Sequence, residues 1–409
     1  MKCRHCGMDV TLTLIDLGSA PPSNAYLTKL TMRRPEKWFP LKVLVCESCW
    51  LVQAEAYSRA AELFNDEYAY FSSFSAMWLA HAEHYVDVMV ERFDLRTDSH
   101  VVEVASNDGY LLQYVKQRGI SCLGIEPTAS TAAAARLKGI ETLEEFFGVG
   151  LAQRLVDQDK QADLMVANNV LAHVPYIDDF VKGFVLMLKP EGIATFEFPH
   201  LMQLIEHKQF DTIYHEHFAY LSFGTVNQIL IASGLSVFDV EELGTHGGSL
   251  RVFTQRADSG RHLVSEKVAE LLSREDADGM NKAEYYMGFQ EQADKVKNNF
   301  LSFLLEAKSQ GKAVAGYGAA AKGNTLLNYS GIRPDLMPYV VDRNPNKQGK
   351  YLPGSRIPIV AEEHLQYKHP DYVVILPWNL KTEVMEQLSY IRNWGGLFVI
   401  AVPDLEIMK

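Results

Sequence analysis

The chain places four titratable residues side by side, Tyr214, His215, Glu216 and His217, and the residues around them are apolar. A buried imidazole or carboxylate must be paired or neutralised, and sites that bear this cost are often places of proton transfer. A polar corner whose groups are merely satisfied stays open as the alternative. A metal site here is disfavoured, because His-Glu-His lacks the i, i+4 spacing of a zinc-binding helix.

Four of the five cysteines form two Cys-x-x-Cys pairs, Cys3 with Cys6 and Cys46 with Cys49. Four thiolates in two such knuckles typically surround one tetrahedral zinc ion, with about 2.3 Å between metal and sulfur. A redox dithiol and chance are the competing interpretations. Because a closed shell of four sulfurs leaves no open coordination position, we expect a structural zinc and chemistry elsewhere.

A strand, a turn, a helix and a second strand are predicted between residues 101 and 126. The turn Ser106-Asn107-Asp108-Gly109 lets the backbone approach a ligand, and Glu126 ends the second strand, where an acid can accept both ribose hydroxyls of an adenosine. Only Gly109 stands where a dinucleotide binder carries three glycines. This argues against NAD and favours S-adenosylmethionine (SAM), which has no pyrophosphate to seat. An ordinary turn with an exposed acid is the alternative.

Further strands are predicted in doubly wound order at 162–167, 192–198, 236–240 and 250–254. Ligands of open α/β sheets bind outside the carboxyl edge of the strands. The residues just past the strand at 162–167 are therefore placed to meet cofactor or substrate, and they include Asn168, Asn169 and His173.

The cluster at 214–217 suits a proton abstraction on this framework. Methylation of carbon needs a carbanion-like nucleophile, and a sugar carbon is acidic enough only beside a carbonyl. Such a reaction requires a base with a pKa near neutrality and donors for the developing enolate oxygen. We predict His217 as the base, with Tyr214, His173 and Glu216 polarising the ketone or orienting the imidazole.

In order and spacing, these motifs resemble the SAM-dependent C-methyltransferases of deoxysugar biosynthesis over nearly the whole chain. The resemblance implies an α/β protein with a zinc-binding domain at 1–64, a Rossmann-like SAM methyltransferase core at 65–258, and a helical linker with a C-terminal Rossmann-like domain at 259–409 that helps to hold a nucleotide-linked sugar. His215 departs from the family pattern, which carries an acid there. The shared motifs are the cysteine knuckles, 67–73, 106–109, 124–127, 214–218, 246–248 and 316–322.

The motifs and the resemblance together predict the site residues. The catalytic group is His217, Tyr214, Glu216, His173 and a tyrosine for which we prefer Tyr70 over Tyr68. SAM contacts are expected from Glu103, Ala105, Ser106, Asn107, Asp108, Glu126, Pro127, Asn168 and Asn169. Substrate contacts are expected from Tyr68, Phe71, Glu197, His246, Gly318, Lys322, Trp378 and Asn379. The resemblance implies methylation at a carbon next to the ketone of a keto sugar, with C-3 of a 4-keto sugar as the first choice.

Residues from about 262 to 310 are predicted as one long amphipathic helix that leads into a second α/β unit. In that unit a strand enters the small-residue turn at 316–321, where backbone amides and Lys322 can meet a phosphate. Asp342 offers a ribose acid, so an NAD-dependent oxidoreductase acting on a nucleotide sugar is the runner-up, although the third glycine is out of register. A degenerate domain that only packs, and a zinc-dependent scaffold without catalysis, are further alternatives.

The formal charge of the chain is −12, from 39 Lys and Arg against 51 Asp and Glu. Nucleic acids and anionic membranes attract proteins of the opposite charge, so neither is expected as a partner. The N-terminus lacks the apolar core of a signal peptide, and no apolar run reaches the roughly 18 residues of a membrane span. We expect a cytoplasmic enzyme, a monomer or small homo-oligomer, whose partner is a nucleotide-linked keto sugar.

Overall fold

The computed structural model describes residues 1–55, 57 and 71–409. Its strands are, in chain order, β1 (Leu12–Ala20), β2 (Phe39–Val45), β3 (Val52–Ala54), β4 (His100–Val104), β5 (Ser121–Ile125), β6 (Thr142–Leu143), β7 (Ala162–Asn168), β8 (Leu188–Pro199), β9 (Ala219–Tyr220), β10 (Leu235–Leu243), β11 (Ser249–Arg256), β12 (Val314–Tyr317), β13 (Val340–Val341), β14 (Ile359–Val360), β15 (Tyr372–Ile375), β16 (Leu397–Ile400) and β17 (Glu406–Met408).

The α-helices of the same residues alternate with the strands in the core and in the C-terminal part. They are α1 (Ala76–Arg92), α2 (Leu112–Gln117), α3 (Ala129–Leu137), α4 (Val149–Val156), α5 (Ile177–Met187), α6 (Leu201–Glu206), α7 (Phe223–Ser233), α8 (Glu266–Ala277), α9 (Ala283–Tyr286), α10 (Phe289–Ser309), α11 (Ala321–Tyr329), α12 (His364–Lys368) and α13 (Lys381–Gln387). None of these helices is long and apolar enough to cross a membrane.

The core sheet has seven strands in the order β10-β11-β8-β7-β4-β5-β6. β8, β7, β4, β5 and β6 are parallel, and β11 joins them antiparallel to β8 and β10. Strands covered on both faces need continuous apolar runs rather than alternation. This explains sequences such as Leu164–Ala167, whose four residues are all buried. The carboxyl edge of β4, β5 and β7 is where the predicted cofactor residues lie.

The N-terminal sheet is antiparallel, in the order β1-β2-β3-β9. Its fourth strand, β9, comes from the core part of the chain and pairs with β3 through Val52 with Tyr220 and Gln53 with Ala219. The cysteine knuckles also pack into the core, because Cys3, Cys46 and Cys49 belong to the same apolar cluster as the seven-stranded sheet. The zinc-binding part is therefore joined to the residues that directly follow His217.

The C-terminal sheet is a second Rossmann-like unit, in the order β14-β13-β12-β15-β16-β17, with only β17 antiparallel. The connection to it differs from the single long helix that the sequence predicted. Three helices, α8, α9 and α10, stand in its place. Gly279 and Gly288 adopt left-handed φ values of 84° and 82° at the breaks, a conformation that ends helices and favours glycine.

Candidate active site

His217 lies in the loop between a single 3₁₀ turn, Phe210–Thr212, and β9. Its Nδ1 donates a hydrogen bond to the carbonyl of Thr212 at 2.9 Å, so the lone pair of the neutral ring is on Nε2. The Tyr214 ring lies 4.0 Å away between centroids. Burial, with the neighbouring His173 adding to it, holds the pKa of His217 well below its usual range. The ring is thus neutral at neutral pH, and its pKa lies below the near-neutral value that the sequence predicts for a base, because burial disfavours the charged imidazolium.

His173 ends a 3₁₀ turn that follows β7 and faces His217, with 4.6 Å between ring centroids. Its Nδ1 donates to the carbonyl of Glu216 at 2.8 Å, and burial lowers its pKa to about 4. The structure therefore brings together three of the residues predicted from the sequence, His173, Tyr214 and His217. They come from the carboxyl edge of β7 and from the loop before β9.

The side chains of Glu216 and His215 point to the N-terminal part instead. Glu216 Oε1 accepts a hydrogen bond from Asn24 Nδ2 at 3.2 Å, and burial raises the pKa of this carboxyl group. His215 Nε2 donates to the carbonyls of Phe39 and Pro40 at 3.3 and 3.2 Å. In this structure, the contribution of Glu216 to the imidazole pair is its main-chain carbonyl.

The C-terminal unit brings Lys322, Trp378 and Asn379 near the imidazoles, since the charge of Lys322 acts on the pKa of His217 and of His246. Lys322 Nζ donates to Asn379 Oδ1 at 2.7 Å and lies 4.5 Å from the centre of the Trp378 ring. The indole N–H of Trp378 donates to Asp211 Oδ2 at 2.7 Å. Asp211 was not predicted from the sequence. Burial raises its pKa to about 6.

Gly247, next to His246, allows the core and the C-terminal unit to approach closely. A Cβ on Gly247 would lie 2.5 Å from Trp378, and its φ of 92° is in the left-handed region. Burial lowers the pKa of His246 to about 4, with the charge of Lys322 acting in the same direction. Close packing against Trp378 thus explains why the first glycine of the motif at 246–248, Gly247, cannot carry a side chain. Gly318, in the turn before Lys322, packs similarly against Pro377.

Glu197 lies under the site in a buried ion-pair network that the sequence did not reveal. It accepts hydrogen bonds from Arg251 at 2.8 Å and from His81 at 3.0 Å. Trp78 stacks on His81 with 4.8 Å between centroids and meets His246 edge-on at 5.1 Å. Glu197 was predicted as a substrate contact, and in this structure its carboxylate binds the side chains of Arg251 and His81. Residues 68 and 70, and with them the predicted Tyr68 and Tyr70, lie outside the described residues, whereas Phe71 packs edge-on against Phe74.

The predicted cofactor turn follows β4 and is tightly bent. Ala105, Asn107 and Gly109 all have φ values between 49° and 73°. Glu126 accepts hydrogen bonds from the main-chain N–H groups of Asn107 at 3.0 Å and Thr128 at 2.8 Å. The turn is thereby fastened to the end of β5.

Several buried polar atoms around this turn have no hydrogen-bond partner among the residues that the structure describes. A polar ligand with amino, carboxylate and hydroxyl groups would satisfy them, so the donor and acceptor set fits SAM. Glu103 lies beneath them, and burial raises its pKa well above the usual range. The unsatisfied atoms are Ser106 Oγ, Asp108 Oδ1, and both amide atoms of Asn168 and of Asn169.

The four cysteine sulfurs converge near the N-terminus. All lie within 4.8 Å of one another, with 3.5 Å between Cys3 and Cys49 and between Cys6 and Cys46. A tetrahedral zinc site needs about 3.8 Å between sulfurs, so the set fits the metal. Gln53 Nε2 donates to the sulfur of Cys3 at 3.3 Å, which gives the thiolate an outer hydrogen bond.

Comparison with known proteins identifies the family. Three family descriptions match successive parts of the chain: a putative zinc binding domain at 3–64, a methyltransferase domain at 78–240 and a C-methyltransferase C-terminal domain at 244–403. The C-methyltransferase NovU of Streptomyces niveus is 33% identical over 408 residues, which are 100% of this chain and 97% of NovU. The chain belongs to this family of C-methyltransferases. It is a SAM-dependent enzyme with a structural zinc site, as the sequence predicted.

Other relatives match smaller parts. The ubiquinone biosynthesis O-methyltransferase of a Chelativorans strain is 28% identical over 94 residues, 23% of this chain and 37% of that enzyme. The PH0226 protein of Pyrococcus horikoshii has a TM-score of 0.39 and 15% identity, covering 46% of this chain and 95% of its own. The oxidoreductase alternative is not retained, because the methyltransferase and C-methyltransferase descriptions together match most of the chain. In this structure Asp342 accepts the N–H groups of Ala319 and Asn344.

Proposed function

We propose that the enzyme transfers the methyl group of SAM to a carbon next to the ketone of a nucleotide-linked deoxysugar, through an enolate. C-3 of a 4-keto sugar is the favoured position. The observation that carries the proposal is a buried imidazole whose Nδ1 is fixed by a main-chain carbonyl at 2.9 Å. An O-methyltransferase or N-methyltransferase acts on a heteroatom that already has a lone pair, whereas a carbon nucleophile must be made by a base.

In this proposal His217 Nε2 removes the proton from the carbon. Tyr214 packs against the same ring and can donate its hydroxyl to the ketone oxygen. His173 already donates its Nδ1 proton to the carbonyl of Glu216, so its part is to pack against His217 and keep water away. Glu216 supports His173 through its main-chain carbonyl. The tyrosine that the sequence predicts for the sugar, Tyr70 or Tyr68, lies outside the described residues. SAM supplies an electrophilic methyl group when bound. Glu126 would hold its ribose, and the groups at 106–108 and 168–169 its polar end.

The substrate class rests on the second Rossmann-like unit. Residues 259–409 bring an aromatic ring and an amide, from Trp378 and Asn379, against the core, where the Trp378 indole donates to Asp211. An aromatic ring and an amide suit a nucleobase and sugar hydroxyls, which belong to a ligand larger than the reacting ring itself. A nucleotide-linked sugar has this form, with Phe71, His246 and Gly318 as further contacts.

The test is incubation of the enzyme with methyl-labelled SAM and a panel of dTDP- and GDP-linked 4-keto sugars. A labelled product whose new carbon–carbon bond lies next to the ketone, located by NMR, is expected. A methyl group on oxygen or nitrogen would contradict the proposal. So would the absence of both product and solvent deuterium uptake next to the ketone for every sugar in the panel.

A further inference from the structure

Lys322 is the first charged residue of α11, and its position is closely defined. The next residue, Gly323, packs so tightly on the end of β15 that a Cβ would lie 2.7 Å from Leu376. The ammonium group of Lys322 is held by the Asn379 amide oxygen at 2.7 Å and by the face of Trp378. The amide is neutral, and an aromatic face attracts a cation only weakly compared with an anion. Among the residues that the structure describes, no carboxylate lies within salt-bridge distance of this ammonium, and Asp211 acts on its pKa through its charge alone.

The segment 210–213 makes hydrogen bonds both to the surroundings of the Lys322 ammonium and to His217. Asp211 holds the indole of Trp378, which lies against Lys322, and the carbonyl of Thr212 holds His217. The carbonyl of Ile213 accepts a hydrogen bond from Thr325, one turn further along the helix of Lys322. Three consecutive residues of one short segment therefore fix both the lysine helix and the imidazole. The lysine charge is one of the causes that lower the pKa of His217.

The charges around Lys322 decide what it can bind. His173, His217 and His246 are kept neutral, since burial lowers the pKa of each. A permanently charged pyrophosphate beside a single lysine would also face the Asp211 carboxylate, whose Oδ1 has no partner among the described residues. An anion that carries one charge, and only during the reaction, matches one ammonium group in a largely dry pocket.

We propose that Lys322 is a catalytic residue that donates a hydrogen bond to the ketone oxygen and stabilises the enolate. This rests on the proposed function. As His217 takes the proton, the C–H electron pair forms the carbon–carbon double bond and the carbonyl π pair moves to oxygen. The oxygen pair then forms the carbonyl again, and the pair of the carbon–carbon double bond attacks the methyl group of SAM. The S–CH₃ bond breaks, and its electron pair stays on the sulfur of S-adenosylhomocysteine. The ammonium keeps its protons throughout, and the role is the same for either carbon next to the ketone.

The test separates enolate formation from methyl transfer. With S-adenosylhomocysteine in place of SAM, the wild-type enzyme in D₂O should exchange the proton next to the ketone of dTDP-4-keto-6-deoxy-D-glucose or its GDP-linked counterpart. Lys322→Met should slow this exchange by about 10²–10³-fold, the usual cost of one oxyanion donor. Binding of dTDP and of S-adenosylhomocysteine, measured by calorimetry, should not change. The exposed Lys368→Met is the matched control.

Two results would overturn the role of Lys322. One is wild-type exchange in Lys322→Met. The other is weakened dTDP binding with unchanged exchange at saturating sugar, which would place the lysine at a phosphate. Lys322→Arg keeps a cation and should exchange faster than Lys322→Met, and Lys322→Gln is a second neutral variant should the methionine disturb the turn. If the wild type neither exchanges nor methylates any probe, the proposed function itself fails.

Discussion

At the scale of single residues, the site depends on which nitrogen of an imidazole carries the proton. A main-chain carbonyl only accepts hydrogen bonds, so the Nδ1 atoms of His217 and His173 must be the protonated ones. Neither ring can change tautomer without losing a bond of 2.8–2.9 Å in a buried place. The backbone thus prepares His217 Nε2 as an acceptor before any substrate arrives.

Replacing the proposed base tests this arrangement directly. In His217→Asn the side-chain amide can still donate to Thr212, but no basic nitrogen remains. Solvent exchange and methyl transfer should both fall by about 10²–10⁴-fold, the usual contribution of a general base. Calorimetry should show unchanged binding of S-adenosylhomocysteine. His207→Asn, at an exposed position, is the matched control, and wild-type turnover in His217→Asn would assign the base elsewhere.

The pH dependence of exchange should follow the lowered pKa of His217. An unperturbed histidine titrates near 6.5, and burial moves this group well below that value. The neutral, basic form therefore persists as the pH falls through 6.5, and the rate should stay level there and decline only at lower pH. Exchange rates in buffers from about pH 5 to 8 check this expectation. Binding of S-adenosylhomocysteine at each pH is the control for folding, and an acid limb centred at or above 6.5 would contradict the prediction.

At the scale of elements, the zinc knuckle touches both loops that carry the histidines. Arg4, between two of the cysteines, donates to the carbonyls of Pro175 at 3.4 Å and Ala54 at 3.3 Å. Its guanidinium carbon lies 5.1 Å from the centre of the Phe218 ring. Pro175 is two residues after His173, and Phe218 directly follows His217. A metal-bound loop therefore supports the imidazole pair from outside the pocket.

Arg4→Met should reduce turnover without removing the metal. The methionine keeps the apolar stem, but the two loops lose their shared donor, and a shift of the imidazoles by an ångström can cost up to about 100-fold. The expected result is a lower kcat with unchanged KM for SAM and unchanged zinc by elemental analysis. Arg4→Lys should restore part of the rate, and Arg33→Met, at an exposed position, serves as the control. A variant that loses zinc and SAM binding together would show that Arg4 acts in folding alone.

The elements that could be predicted from the sequence are those with a local signal. The strand at 101–105 is apolar except for Glu103, the cysteine knuckles have metal spacing, and the polar stretch at 214–217 stands out against its apolar neighbours. Parallel strands then bring His173 to the same edge. The second Rossmann-like unit was visible because small residues in its turn mark a close approach of strand and helix.

The remaining features depend on partners that are distant in sequence. A two-residue strand such as β9 has no periodicity, and its partner β3 lies in another part of the chain. Asp211 looks like an ordinary turn residue until Trp378 is seen to donate to it. Likewise Glu197 was predicted as a substrate contact, and nothing in its local sequence shows the groups that it binds in this structure. Arg251 and His81, which bind it here, lie on other elements.

At the scale of the whole molecule, three parts of the chain meet at the segment 210–220. Asn24 reaches Glu216 from the N-terminal side, and Trp378 reaches Asp211 from the C-terminal side. The apolar core is equally shared, since residues of β1, α10 and β12 belong to one cluster. His217, the proposed base, lies where these parts join, so the geometry of the site depends on contacts from all of them.

Asp211, which accepts a hydrogen bond from Trp378 across the contact between the core and the C-terminal unit, should make the free energy of unfolding depend on pH. Burial raises its pKa from 3.8 to about 6, so between these values the unfolded chain has released a proton that the folded enzyme retains. Stability from this group is therefore present at low pH and declines as the pH rises towards 6. Asp211→Asn keeps an acceptor for Trp378 and removes the titration.

We expect Asp211→Asn to unfold at nearly the wild-type temperature near pH 4 and at a higher temperature above pH 6. The difference should approach roughly 3 kcal/mol, the free energy that corresponds to such a shift. Thermal unfolding at both pH values measures it, with Asp98→Asn, at an exposed position, as the control. A variant that is less stable than wild type above pH 6 would mean that the carboxylate is ionised and well paired in the folded enzyme. The cation whose charge acts on Asp211 is Lys322, so that outcome would assign the Lys322 ammonium to Asp211 and contradict its role at the enolate.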